Sequence, residues 1–307
     1  PPMTITEPAV TPAPLGGPGS AAGIVDGPRS TIDPATDVLV EPDVPVQGRA
    51  RARAERLGYG LIGFAILGLA WQFASTRAEG LPGPMPTFDV LRTLLADGFA
   101  PDGPAGKGIL LQLSDSLARV AKGFAMAAVI GVPVGFALGT SKRLHQIFDP
   151  LVQLLKPISP LAWFPICLTI LVKTEPAAVW VIFLAALWPV VINTAAGAGS
   201  VPTDQADVAR VFRFSPYTRI REIVVPHAMP SIITGLRLSM GVAWMVIVAA
   251  EMLAASSGIG FYIWQSYNGQ GLAYVLSAVI LIGGTGVILD LAFQALGRLV
   301  THTEARS

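Results

Sequence analysis

Glu251 is the sharpest chemical group in this chain, because it closes an apolar run from Met240 to Ala250. A carboxylate on a lipid face at mid-span costs about 2.5–3.5 kcal/mol. It must face a pathway or a partner helix, or else sit near an outer interface paired with a base such as Arg119. Little else could do chemistry. His145, His227 and His302 are scattered without metal-ligand spacing, so no metal site is expected. Cys167, the one cysteine, lies in an apolar run and reads as a packed thiol. There is no GxxxxGK[ST] loop to cradle phosphates, and no catalytic residue is assigned. Asp290 lies toward the end of the last apolar run, where water or a basic loop could satisfy it. Arg119 and Lys122, three apart, share a helical face, which fits snorkelling or the attraction of an anion.

The elements that position these groups are read from composition. The chain has 307 residues, 52% hydrophobic and 13% charged, with mean hydropathy +0.59. Soluble domains carry about 25% charge. An all-α polytopic membrane protein is expected, and net charge +1 gives no sign of a nucleic-acid partner. Six apolar segments can cross a lipid bilayer, at 57–75, 120–140, 152–172, 177–197, 232–256 and 274–299. The third and fourth are separated only by Lys173-Thr174-Glu175 and form a tight hairpin. Between the first two lie Pro82-Gly83-Pro84 and an amphipathic stretch, Phe88 to Leu95. Residues 1–48, rich in Pro, Gly, Ala and Thr, read as a disordered tail. They lack the charged start and apolar core of a signal peptide.

Gly131, Gly135 and Gly139 recur every four residues and line one helix face, where small residues allow close packing. Pro157 and Pro160 precede Leu161-Ala162-Trp163-Phe164-Pro165, and prolines this dense break a helix. Broken backbone at membrane depth needs protein or water to cover it. Gly258 to Asn268 suggests a re-entrant turn or short helix. Basic residues are scarce deep in the spans and dense in alternate loops, which places both termini inside. The loop Asp207–Pro226, DVARVFRFSPYTRIREIVVP, is then cytoplasmic. Thr203 can cap a helix ending near Arg213. Ser215-Pro216 can cap a second helix, and Pro226 closes it. Two short capped helices on a membrane surface suit docking.

This loop resembles the cytoplasmic signature of ABC-importer permeases, in which Glu-Ala-Ala is followed three residues later by Gly and, after nine more, by Ile-x-Leu-Pro. Here the positions are Asp207-Val208-Ala209, Arg213 and Ile223-Val224-Val225-Pro226. Asp replaces Glu, Val replaces the first Ala, and Arg213 stands where glycine would allow positive φ. Ser116-Leu117-Ala118-Arg119-Val120, Leu161–Pro165, and Ala250-Glu251-Met252-Leu253 before Gly258-Ile259-Gly260 resemble the nitrate/sulfonate/taurine/bicarbonate branch. Pro176-Ala177-Ala178, Trp188–Ala195 and Gly260–Trp264 look most like its nitrate-type permeases.

The resemblance implies a type I importer fold of six transmembrane helices over residues 49–301, with a coupling loop at 203–226 and a tail at 302–307. It implies a cell (inner) membrane homodimer, two cytoplasmic subunits that bind ATP and Mg, and a periplasmic or lipid-anchored substrate-binding protein. This chain itself would hold no cofactor. Asp207, Ala209, Arg210, Arg213, Ser215 and Pro226 would couple to the ATPase. Trp163, Asn193 and Glu251 would lie in or near a pathway between the copies. The substrate would be a small inorganic anion, nitrate or nitrite first, with sulfonate, taurine, bicarbonate or cyanate as alternatives. A secondary transporter or channel should show internal repeats or several ionisable groups at mid-membrane. A membrane enzyme should show a His/Asp/Glu cluster. Neither pattern is present.

Overall fold

The computed structural model describes residues 47–102, 106–202, 204–205, 211–254 and 256–304. The expected 1–48 tail lies almost wholly outside them. Helices α1 (Gln47–Arg77), α2 (Pro84–Ala96), α3 (Ile109–Thr140), α4 (Lys142–Leu155), α5 (Phe164–Leu171) and α6 (Thr174–Gly199) come first. Three consecutive pieces, Pro216–Arg219, Ile220–Val224 and Val225–Ala254, form α7. Then come α8 (Ile259–Gly269) and α9 (Leu272–Glu304). The chain divides between Ala65 and Ile66 into two compact units. The first holds the leading part of α1, with Tyr59, Leu61 and Phe64 exposed. The second holds every other described element.

Within the second unit, α3, α6 and α7 build the main core from Val120, Ala127, Ile182, Phe183, Ala186, Ala243, Trp244 and Ile247. The glycine stripe explains how closely α3 meets α6. A Cβ on Gly123 would stand 2.7 Å from Ile182 Cγ2, and one on Gly131 2.9 Å from Val190 Cγ1. On Gly139 it would strike the Ala195 carbonyl. At Gly135 it would meet Thr194 Cβ at 2.6 Å and the Val191 carbonyl oxygen at 2.8 Å. Backbone cannot yield as a side chain does. Gly135→Leu should therefore cost at least about 1–3 kcal/mol of overpacking, seen as a lower melting temperature in detergent. A second cluster joins α2, α3, α8 and α9 through Leu94, Ile109, Ile259, Tyr262, Ile263 and Ala278. The Ser277 hydroxyl donates to the Thr87 carbonyl at 2.9 Å and fastens α9 to α2.

Among the described residues five helices are long and apolar enough to cross a membrane: Gly58–Arg77, Ile109–Thr140, Thr174–Gly199, Pro216–Leu253 and Leu272–Arg298. The expected third span, 152–172, is not one straight helix. α4 and the stretch Pro160–Leu171 meet at 88°, so a sixth crossing exists only as a bent pair. Pro157 and Pro160 supply the break: neither can donate a backbone hydrogen bond, and each clashes with the preceding turn. The second span also begins earlier than its apolar core, at Ile109.

Pro226 does not close a helix, contrary to the rule that proline ends one. It sits in the first turn of the piece Val225–Ala254, directly after the π-helical turn Ile220–Val224. A widened turn leaves room for the proline ring and for the N–H it lacks. The helix continues without a stop.

Candidate functional site

Glu251 is 1% exposed and lies near the end of α7, where the chain turns toward α8. Three groups satisfy its carboxylate. Arg119 Nη1 donates to Oε1 at 2.7 Å. The Gly260 N–H donates to Oε2 at 3.0 Å. The Ser116 hydroxyl lies 2.9 Å from Oε1 and 2.8 Å from Oε2, and its one proton serves either. Ser116 Oγ in turn accepts the Ile259 N–H at 2.8 Å. Arg119 also donates to the Ser257 carbonyl at 3.0 Å and to Ser257 Oγ at 2.7 Å. Gln112 Oε1 accepts the Gly258 N–H at 2.6 Å. Gln112, Ser116 and Arg119 recur at helical spacing on α3, so one face of α3 reads the whole turn 256–260.

The turn is built for this contact. Gly258 has φ +112, a conformation that favours glycine, and a Cβ there would land on the Glu251 carboxylate. A Cβ on Gly260 would strike the Val248 carbonyl. Ionic hydrogen bonds are stronger and more directional than neutral ones, and here they replace water around two buried charges. Chemically the arrangement is a latch.

Beside the latch, a cavity of about 370 Å³ is lined by Asp115, Arg119, Lys122, Glu175 and Ser257. Its bases and acids offset one another. Arg119, read from sequence as a snorkelling or anion-attracting base, is committed to Glu251. Lys122 lies 3.9 Å from Glu175.

Trp163 and Asn193 are not brought to Glu251. Trp163 ends a short 3₁₀ turn after the helix break and lines an apolar cavity of about 290 Å³ with Trp180, Trp188 and Ile166. Asn193 donates to the Pro189 carbonyl at 2.8 Å, and its Cβ lies where α7 presents Gly235.

Of the loop residues, Asp207, Ala209 and Arg210 lie outside the described residues, as does Thr203. Arg213 has φ +47, so the position keeps the left-handed turn without a glycine to ease it. Ser215 caps α7 as expected, its Oγ accepting the Thr218 N–H at 3.1 Å, with Pro216 at the first helical position.

One group escaped the sequence reading. Arg237 lies inside the fifth apolar segment, and it is this residue that satisfies Asp290, through two bonds at 2.5 and 2.8 Å. The available signal was a single arginine within 232–256 opposite a single aspartate in the last segment.

Residues 129–302 match the family model described as "Binding-protein-dependent transport system inner membrane component". The match covers more than half of the chain. The chain belongs to this family. Membership makes it the membrane component of a transport system rather than an enzyme, working with a binding protein and separate ATP-hydrolysing subunits. Among curated relatives it is 41% identical over 246 residues to the nitrate import permease protein NrtB of Synechocystis, covering 80% of this chain and 90% of that one. It is 44% identical over 235 residues to the bicarbonate transport system permease protein CmpB of Synechococcus elongatus, covering 75% and 84%. The fold is that of a chain in the MetNI methionine ABC transporter, at TM-score 0.57 and 17% identity, covering 62% of this chain and 95% of that one. The permease is thus a multi-pass, all-helical protein of the type I importer architecture.

Proposed function

We propose that this permease carries a small planar oxyanion, nitrate or nitrite first, across the inner or plasma membrane by alternating access. The observation that carries the reading is the 41% identity to a nitrate import permease over 80% of the chain. Bicarbonate is the second reading, favoured by 44% identity to a bicarbonate permease. The two anions share one charge and a trigonal oxygen arrangement. Sulfonate, taurine and cyanate rank lower.

Both termini face the cytoplasm, two copies pair, and two ATP-binding subunits carry ATP and Mg. A periplasmic or lipid-anchored binding protein delivers the substrate. The segment Asp207–Ser215 docks on the ATPase, with Arg210 and Arg213 making charged contacts and α7 carrying movement from Pro226 into the bundle. The aromatic cavity at Trp163 and the α6–α7 contact at Asn193 border the route. Glu251 frames its outer mouth by holding the turn 256–260. Growth of a strain lacking the gene tests the substrate. Lost growth at limiting nitrate supports the first reading. Growth that fails only at limiting bicarbonate supports the second, and loss confined to sulfonate sulfur overturns both.

A further inference from the structure

α7 and α9 each carry a charge well inside a membrane-length apolar helix, Arg237 in Pro216–Leu253 and Asp290 in Leu272–Arg298. The two meet as a fork: Nε donates to Oδ1 and Nη2 to Oδ2. Gln294 Nε2 also donates to Oδ2, at 2.8 Å. A pair this well made would normally be a staple between helices. Two features argue for more. Both side chains stay open, at 42% and 46% exposure, although they lie within spans. Lipid is a poor cover for charges, so water, a ligand or a second copy must meet them. Arg237 also opens onto a groove of about 360 Å³ that it lines with Thr234, Gln294 and Arg298.

We infer that Arg237 is a station for the transported anion and that Asp290 is the resident counter-ion the anion displaces. The inference rests on reading the chain as an anion permease. Asp290 shows what the guanidinium fork accepts: one planar centre that presents two oxygens side by side. A guanidinium takes such groups in bidentate fashion. Nitrate, nitrite and bicarbonate have that geometry, and a linear anion does not. An unopposed arginine would trap its ligand, whereas conduction needs binding weak enough to release. A built-in carboxylate that competes for the same fork supplies that weakness. During exchange Asp290 keeps its bond from Gln294, so neither charge is left bare.

The test uses the complete transporter with its ATPase subunits and binding protein in proteoliposomes, with whichever of nitrate or bicarbonate the wild type imports. Arg237→Gln should lower flux about tenfold or more, the scale of one lost charge-assisted bond, in a complex that still assembles. If Arg237→Gln fails to assemble, Arg237→Lys keeps the charge, loses the fork and should show a several-fold flux loss in a folded complex. Asp290→Asn should lower KM and kcat together, because the anion binds more tightly and leaves more slowly. A helix staple cannot produce that paired change. Asp290→Asn with an unchanged KM and a lower melting temperature, with the swap R237D/D290R regaining both flux and melting temperature, would overturn the station. Absence of any wild-type flux with either anion defeats the substrate reading instead, before a variant is measured.

Discussion

Glu251→Ala should leave little folded permease. The substitution strands Arg119, whose side chain is 8% exposed, and removes the acceptor for Ser116 and Gly260. Breaking one side of a buried pair costs about 3–5 kcal/mol, a large part of the 5–15 kcal/mol that typically holds a protein folded. Glu251→Gln should be milder, since an amide oxygen still accepts from Ser116 or Gly260. The double change R119L/E251L should be milder than Glu251→Ala alone, because no bare charge remains. Thermal melting in detergent with size-exclusion detection checks the series. A melting temperature for Glu251→Ala within about 2 °C of wild type, less than one kcal/mol would produce at this size, would show that water reaches the pair.

The second large effect is functional. Ala209 is the small residue at the centre of the signature, between Asp207 and the left-handed turn at Arg213. Replacing Ala209 with Glu should put a charged, bulky side chain into the segment proposed to dock on the ATPase. Uptake should fall about tenfold or more, the effect of losing about 1.4 kcal/mol of coupling. The melting temperature of the bundle should not change if Ala209 serves the proposed docking contact and not the fold. Normal substrate-stimulated ATP hydrolysis in the A209E complex would remove this loop from the coupling role.

What the sequence could reveal follows from how local each signal is. The apolar runs announced α6, α7 and α9 because a membrane span is a property of consecutive residues. The glycine stripe on α3 was readable because its spacing is helical. Glu251 stood out as a charge in an apolar run and Arg119 was named as a base that could pair with it, as it does across 132 residues; the roles of Ser116, Gln112 and the turn 256–260 were not legible, because no local rule reaches that far. Arg237 was hidden because one charge barely dents a hydrophobic window, and its partner is 53 residues on. Pro226 misled because the rule that proline stops a helix assumes α-helical turns, and a π turn lifts that assumption. Arg213 occupies a glycine conformation without being glycine, since surrounding structure can impose about 1–2 kcal/mol of strain that sequence does not display. The bend at Pro157–Pro160 was foreseeable as a break, whereas its angle depends on what α4 and α5 pack against.

This permease should move a small oxyanion only when a separate ATPase drives it. The direct measurement is uptake of labelled nitrate and bicarbonate into proteoliposomes holding the permease, its ATP-binding subunits and its binding protein, with and without internal ATP and Mg. Uptake should require ATP and the loaded binding protein, and that protein should stimulate ATP hydrolysis. Uptake by the permease alone, driven by an ion gradient and indifferent to ATP, would contradict it and point to a secondary transporter or channel.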